Sequence, residues 1–296
     1  MGNVTVLHID AFSTVPGKGN PAGVVLNGGQ WTDEQMQEIA RKVGFNETAF
    51  VVPTEKADIG IRYFTPGHEN NLCGHATMGT IFALYREGQL TKQSFTIDTK
   101  AGILPIDVKE EHNSIMITMQ HAAPAFQTFA GNKAELAEAI GLQEEDIHDD
   151  LPIVYGSTGI WTLIVPIKSL ASFSAMKPHT ENFPIVLKEM PRMSIHPICL
   201  ETRDEECILH SRHFSSPFSG TVEDPVTGTA SGVMGAYYNT YVKPDLPLPA
   251  TLIMEQGHEI HKDGKVYVHV DEEEGQLSIS ISGTAVFVKE FEIEIL

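Results

Sequence analysis

Glu47 stands in the run Gly44-Phe45-Asn46-Glu47-Thr48-Ala49-Phe50, between an amphipathic helix pattern and an apolar strand pattern. A carboxylate at the mouth of a buried strand is partly desolvated, which raises its pKa toward the range where it can take and return a proton. Capping a turn or pairing with a base are the structural alternatives. A second polar group lies in Leu72-Cys73-Gly74-His75-Ala76-Thr77, where His75 opens a run of small and apolar residues. At a helix opening the dipole disfavours an imidazolium and keeps a neutral ring able to give or accept a hydrogen bond. A purely structural cap would look the same. The third group is Glu223-Asp224-Pro225-Val226-Thr227-Gly228-Thr229. Asp224 can accept a hydrogen bond or balance a substrate ammonium, although Asp-Pro is also an ordinary turn starter, and Thr229 brings a hydroxyl beside backbone amides.

The second and third groups are two versions of one segment. Arg62-Tyr63-Phe64-Thr65-Pro66 leads to Glu69 and the Cys73–Thr77 run, while Arg212-His213-Phe214-Ser215 leads through Pro217 to Glu223 and the Thr227–Ser231 run. At an offset of 154 residues, Glu69 matches Glu223, Gly74 matches Gly228, His75 matches Thr229, Ala76 matches Ala230 and Thr77 matches Ser231. Solenoid periods run at roughly 20–50 residues, so this longer interval predicts two related lobes. In each copy an Arg-x-Phe strand enters a glycine-containing loop that opens a helix, over Ala76 to Tyr85 and Ala230 to Tyr238. The unpaired amides and positive dipole end of such a helix suit a carboxylate or phosphate. Two well-capped core helices would produce the same pattern.

The elements that must position these groups follow from local pattern. Thr32 with Gln35 forms a capping box, and Met36, Ile39, Ala40 and Val43 mark one helical face that stops at Gly44. Strands are predicted at Val4–Phe12, Ala22–Leu26, Thr48–Val52, Ile59–Phe64, Phe95–Thr99, Ile103–Val108 and Ser114–Met119. In the second half an Asn132 cap with Glu135 opens a short helix ending at Gly141. Strands follow at Trp161–Val165, Ser194–Leu200 and Cys207–Phe214, and the sequence is β-rich from Leu252 onward. The acidic run Asp271-Glu272-Glu273-Glu274 reads as a solvated turn ending at Gly275. Many strands with few long helices indicate an α+β protein with mostly antiparallel or mixed sheets curved around a central helix in each half.

Composition narrows the function. The 296 residues suffice for two domains, taken as 1–122, with a terminal strand at 284–296 completing it, and 123–283. Twenty Lys and Arg against 39 Asp and Glu give a net charge of -19, which argues against nucleic acid or an anionic membrane as partner. Cys73, Cys199 and Cys207 form no CxxC pair, which fits a reducing compartment, the cytoplasm, and no signal or membrane-spanning pattern is apparent. No metal is expected: there is no HExxH, and His258-Glu259-Ile260-His261 lies in a glycine-flanked turn with the wrong spacing for a helical pair. Gly17-Lys18-Gly19-Asn20 lacks the ending of a phosphate loop, and no dinucleotide fingerprint occurs. A cofactor-independent reaction is the simplest enzyme reading.

Taken together, His8-Ile9-Asp10-Ala11-Phe12, Gly19-Asn20-Pro21-Ala22-Gly23-Val24, Asn46-Glu47-Thr48-Ala49-Phe50, Leu72–Thr77 and Glu223–Gly228 resemble the PhzF family of phenazine-biosynthesis isomerases. The resemblance spans most of the chain. It implies the diaminopimelate epimerase-like fold, with two pseudo-symmetric lobes, and a homodimer. By the same resemblance Glu47 would move a proton between two carbons on one face of a small carboxylate-bearing cyclic or amino substrate. His75 and Asp224 would position and polarise substrate groups, and Thr229, Cys73 and the amides near Gly74 and Gly228 would line the binding site. Thr229 stands where the family often has serine, and the Gly-Arg-Pro-Ser stretch common after the Gln-Gly pair is absent after Gln256-Gly257.

Two other readings stand beside this one. An amino-acid racemase of the same fold would use Cys73 as a base but needs a second cysteine across the substrate, and the Glu223–Thr229 loop has none. A small-molecule binding protein would keep the cleft without the catalysis.

Overall fold

The computed structural model describes residues 2–111 and 114–295. The chain divides into two compact units, Met1–Gln120 with Ser282–Leu296, and His121–Ile281. Unit 1 contains β1 (Gly2–Ala11), β2 (Asn20–Val25), α1 (Asp33–Val43), β3 (Glu47–Val52), β4 (Ile59–Phe64), β5 (Glu69–Asn70), α2 (Gly74–Arg86), β6 (Ser94–Thr99), β7 (Gly102–Glu111) and β8 (Ser114–Gln120). Unit 2 contains β9 (Ala125–Thr128), α3 (Lys133–Ala139), β10 (Val154–Ser157), β11 (Trp161–Ile167), α4 (Leu170–Ala175), α5 (Phe183–Val186), β12 (Ser194–Cys199), β13 (Leu209–Ser211), α6 (Gly228–Tyr237), β14 (Ala250–Gln256) and β15 (Gly264–Glu273). The chain then runs through β16 (Gln276–Gly283) back into unit 1, which ends with β17 (Ala285–Ile295).

The repeat seen in the sequence extends to the strand ladders. In unit 1 the pairings run β17–β1 antiparallel, β1–β2 antiparallel, β2–β3 parallel, β3–β4 antiparallel, β4–β6 parallel and β6–β7 antiparallel. Unit 2 shows the same succession, from β9–β10 antiparallel through β10–β11, parallel β11–β12, β12–β13 and parallel β13–β14 to antiparallel β14–β15. Each ladder packs on a helix opened by the repeated segment. In α2 the residues His75 to Ile81, with Ala83 and Leu84, are buried, and the helix packs on β1, β2, β3, β8 and β17. In α6 all residues from Ala230 to Tyr237 are buried, with β10 and β15 against them. A helix apolar on every side belongs inside a core. Gly235 lets α6 approach its sheet, since a Cβ there would stand 2.5 Å from Val268 Cγ1.

The outer helix α1 follows its sequence pattern. Thr32 Oγ1 accepts from the Gln35 amide while the Gln35 side chain accepts from the Thr32 amide, and Gly44 closes the helix in the left-handed conformation. Met36, Ile39 and Ala40 bury the opposite face against Val4, Val6, Phe50, Phe64 and Ile293.

Two predicted elements differ. The strand expected over Cys207–Phe214 shrinks to Leu209–Ser211, with an isolated bridge at Phe214. The register places Arg212 opposite Pro197, whose carbonyl accepts from the Arg212 amide but which has no N–H to return, so the ladder breaks there. Of the acidic run, Asp271 to Glu273 end β15, and the turn is confined to Glu274 and Gly275, both at positive φ.

Candidate active site

The loop between β1 and β2 shows what the first family-like motifs do. Asp10, fully buried, accepts from His8 Nε2 at 2.9 Å and from the Gly17 amide at 2.7 Å, pinning the loop to its own strand. Gly19 turns it at φ +70°, where a Cβ would lie 2.2 Å from the Ala11 carbonyl oxygen. The loop leads into β2, which runs parallel to β3 with Ala22 beside Glu47.

Glu47 is the first residue of β3 and is 4% exposed. Asn70 Nδ2 donates to both of its oxygens, at 3.3 and 3.0 Å. A neutral amide thus holds this carboxylate in place, whereas the buried or half-buried Glu69 and Glu223 are gripped by arginine forks. From β5, which carries Asn70, the chain passes to α2. Its N-cap Cys73 is extended and supplies no side-chain cap bond. Cys73 Sγ lies 3.3 Å from His75 Nδ1. Burial pushes the His75 pKa down to about 4, so the ring is neutral at physiological pH. Tyr63 is fully buried and shares a 2.6 Å hydrogen bond with Thr77 Oγ1. Burial raises its pKa well above the tyrosine range against that bond, and the charges of Cys73 and Glu47 add to the rise. Glu47, Cys73, Gly74 and His75 therefore gather around the opening of α2. A Cβ at Gly74 would meet nothing within 4 Å, so the protein leaves space over the first turn.

In unit 2, Asp224, Gly228 and Thr229 gather around the opening of α6. The Asp224 amide donates to the His213 carbonyl at 2.9 Å. Gln256, 1% exposed, staples the loop: its Nε2 donates to the Asp224 carbonyl at 2.8 Å, and its Oε1 accepts from the Thr227 amide at 3.2 Å and hydroxyl at 2.9 Å. The Thr229 carbonyl accepts from Thr158 Oγ1 at 3.1 Å. The N-cap Thr227 is extended and, like Cys73, supplies no side-chain cap bond.

The helix openings differ in how they are capped. Helices α1, α3 and α4 are closed by Thr32, Asn132 and Ser169 side chains. Helices α2 and α6, the two repeated ones, begin without a side-chain cap, as does the four-residue α5 with its early proline. First-turn amides without a side-chain acceptor are the groups that suit an anion.

Sequence reasoning missed Asn70, the residue that fixes Glu47. The signal was present, since Asn70 matches Asp224 at the same offset of 154. It also missed Tyr63 and Thr77, which only the hydrogen-bond geometry joins to the site.

A family model described as phenazine biosynthesis-like protein, PhzC-PhzF, matches residues 9–291. The chain belongs to the PhzF family. A Bacillus subtilis relative named uncharacterized isomerase YfhB is 51% identical over 288 residues, 97% of each chain. The trans-2,3-dihydro-3-hydroxyanthranilate isomerase of Pseudomonas aeruginosa is 29% identical over 265 residues, 89% of each. Among solved structures, a PhzF-family phenazine biosynthesis protein from Bacillus anthracis is 58% identical with a TM-score of 0.98, and both chains are covered fully. A "predicted epimerase" from Pseudomonas aeruginosa, 20% identical with a TM-score of 0.81 over 99% of this chain and 100% of its own, shares the fold alone. The fold is the α+β, diaminopimelate epimerase-like one, and as a PhzF-family member the chain is an isomerase. Among the described residues no helix is long and apolar enough to cross a membrane.

Proposed function

We propose that this PhzF-family isomerase moves a proton between two carbons of a small carboxylate-bearing cyclic or amino compound, with Glu47 as the single acid and base and without a cofactor. The observation that carries the reading is Glu47 itself, nearly inaccessible at the head of β3 and oriented through both oxygens by Asn70. As carboxylate it takes a proton from one carbon; as carboxylic acid it returns that proton to another carbon on the same face. One C–H bond breaks and another forms, with no change in oxidation state overall. The first-turn amides of α2 and the neutral His75 stabilise the negative charge that builds up on the substrate between the two steps. Asp224, Gly228 and Thr229 are assigned to binding substrate polar groups and the carboxylate, and a homodimer belongs to the same reading. The Pseudomonas aeruginosa relative named for a dihydro-hydroxyanthranilate supports the substrate class.

The test is deuterium incorporation, followed by NMR, in D2O with a panel of dihydroaromatic acids and amino acids. Wild type is expected to exchange at least one substrate carbon, and Glu47→Gln to lose this while keeping its fold and ligand affinity. Exchange that survives in Glu47→Gln overturns the proposal.

One contact favours a second reading. Cys73 Sγ lies 3.3 Å from His75 Nδ1, a contact that supports reading Cys73 as a thiol base. The matching position holds Thr227, and burial pushes the Cys199 and Cys207 thiols up to about 11 and about 12. Activity lost in Cys73→Ala but kept in Glu47→Gln would establish this reading instead.

A further inference from the structure

The chemistry above leaves unused a cluster at the C-terminal end of β14, next to Gln256. His210 on β13 and Glu255 on β14 are register partners in a parallel ladder, and Gly257, at φ +90°, turns the chain so that His258 comes back beside Glu255. His210 Nδ1 lies 2.7 Å from Glu255 Oε1, and His258 Nε2 lies 3.6 Å from Glu255 Oε2. One ligand atom from each of the three falls within 4.8 Å of the other two.

We propose that His210, Glu255 and His258 form a divalent transition-metal site that takes Zn2+. Three protein ligands of the two-histidine, one-carboxylate kind suit such an ion, with solvent completing its coordination. Ligand atoms about 2.0–2.2 Å from a tetrahedral zinc stand roughly 3.3–3.6 Å apart, so His210 Nδ1 and Glu255 Oε1, 2.7 Å apart, separate as the ion takes the place of the proton between them. His258 Nε2, 3.6 Å from Glu255 Oε2 on a side chain that is 25% exposed, turns to complete the set.

The surroundings are built as a metal site's are. His210 Nε2 faces both Glu259 oxygens at 3.2 Å, and Arg203 Nη2 holds Glu259 at 2.9 Å. A carboxylate on the remote ring nitrogen orients a ligating histidine and raises its basicity. Glu255 is fixed independently by the Arg203 and Asp204 amides, at 2.6 and 3.0 Å. Access is through an open cavity lined by Arg203, Asp204, Glu205, Glu206 and His258, in which Lys265 pairs with Asp204 and Glu206. Spacing within one segment could not disclose the site, because His210 precedes Glu255 by 45 residues.

The proposal does not rest on the isomerase reading and is tested without activity. The untagged full-length chain, stripped with a chelator, is titrated with ZnCl2 by calorimetry, and histidine ring nitrogens are followed by 15N NMR. Wild type is expected to bind one ion per chain with shifts at His258 Nε2 and His210 Nδ1. His258→Ala, which leaves the buried His210–Glu255–Glu259 contacts in place, is expected to weaken binding at least tenfold. Glu259→Gln should weaken it about 10–100-fold by loosening His210, and Glu205→Gln with Glu206→Gln should leave it unchanged. The proposal is overturned if wild type binds no stoichiometric zinc. It is equally overturned if binding survives in His258→Ala and falls in the Glu205 and Glu206 variants, which would mark adventitious binding at the acidic rim.

Discussion

The two helix openings share a frame and differ in chemistry. In both, an arginine fork grips the glutamate that leads into the loop: Arg62 on Glu69 at 2.8 and 2.9 Å, Arg212 on Glu223 at 2.9 and 2.6 Å. In both, a hydroxyl one turn into the helix donates to the N-cap carbonyl at 2.8 Å, from Thr77 and from Ser231. Register extends the match to Glu47. Phe64 pairs with Thr48 and Glu69, and Phe214 with Ile195 and Glu223, so the residue equivalent to Glu47 is Ser194. The first opening thus carries Glu47, Asn70, Cys73 and His75 where the second carries Ser194, Asp224, Thr227 and Thr229. The difference teaches that the repeat keeps what holds the loop and varies the residues around each opening, which the proposed function reads as a proton-transfer group in one half and binding groups in the other.

The sharpest way to break this comparison is to alter the two equivalent strand heads. Glu47→Gln should lower turnover by about 10²–10⁴-fold, the range of general acid–base catalysis. Ser194→Ala, which removes a 2.7 Å hydrogen bond to Thr162 Oγ1, should leave the rate within a few fold. Equal losses in the exchange assay would mean that the halves are not divided as proposed.

The forks differ in burial, and stability should report it. Arg212 is 6% exposed and also donates to the Phe173 and Met176 carbonyls, so Arg212→Met should cost about 3–5 kcal/mol by stranding Glu223. Arg62 pairs partly with the exposed Asp33, and Lys100 also reaches Glu69, so Arg62→Met should cost about 1 kcal/mol. Urea unfolding of the two variants decides whether this order holds.

A smaller effect separates His75 from its counterpart Thr229. Folded His75 has a pKa of about 4 against 6.5 for an ordinary ring, so as pH falls the unfolded chain takes up the proton first. Stability is unaffected above pH 6.5 and falls between 6.5 and 4, by up to about 3 kcal/mol from this ring. His75→Asn should flatten that part of the urea-midpoint profile, whereas Thr229→Val should leave its slope unchanged. Smallest of all is the exchange of the loop residues. Asn70→Asp places a second carboxylate against Glu47 and should move the acid limb of the rate profile upward by about one unit. Asp224→Asn should leave that limb in place even if it weakens binding.

Much of this was legible in the chain. The capping box at Thr32 and Gln35, the stop at Gly44 and the apolar face of α1 are local patterns, and they folded as written because each depends on residues within one or two turns. The repeat was legible because matching residue types recur at one offset, and it pointed to both helix openings. What was not legible required partners distant in sequence. Pro197 shortens β13 only because the antiparallel register puts it opposite Arg212. Asn70 matters only because a hairpin brings it to Glu47. His210 meets Glu255 and Glu259 only because two strands run side by side.

By itself, then, the sequence determined the α+β character, the two-fold design and the residue types at each helix opening, since these rest on periodicity, capping and turn chemistry. The tertiary structure decided which helices open without a cap, that an amide reaches both Glu47 oxygens, and that Ser194 takes the matching place in the other half. Those are matters of register and burial, and strand register is set by the packing of a whole sheet against its helix, which no local pattern contains.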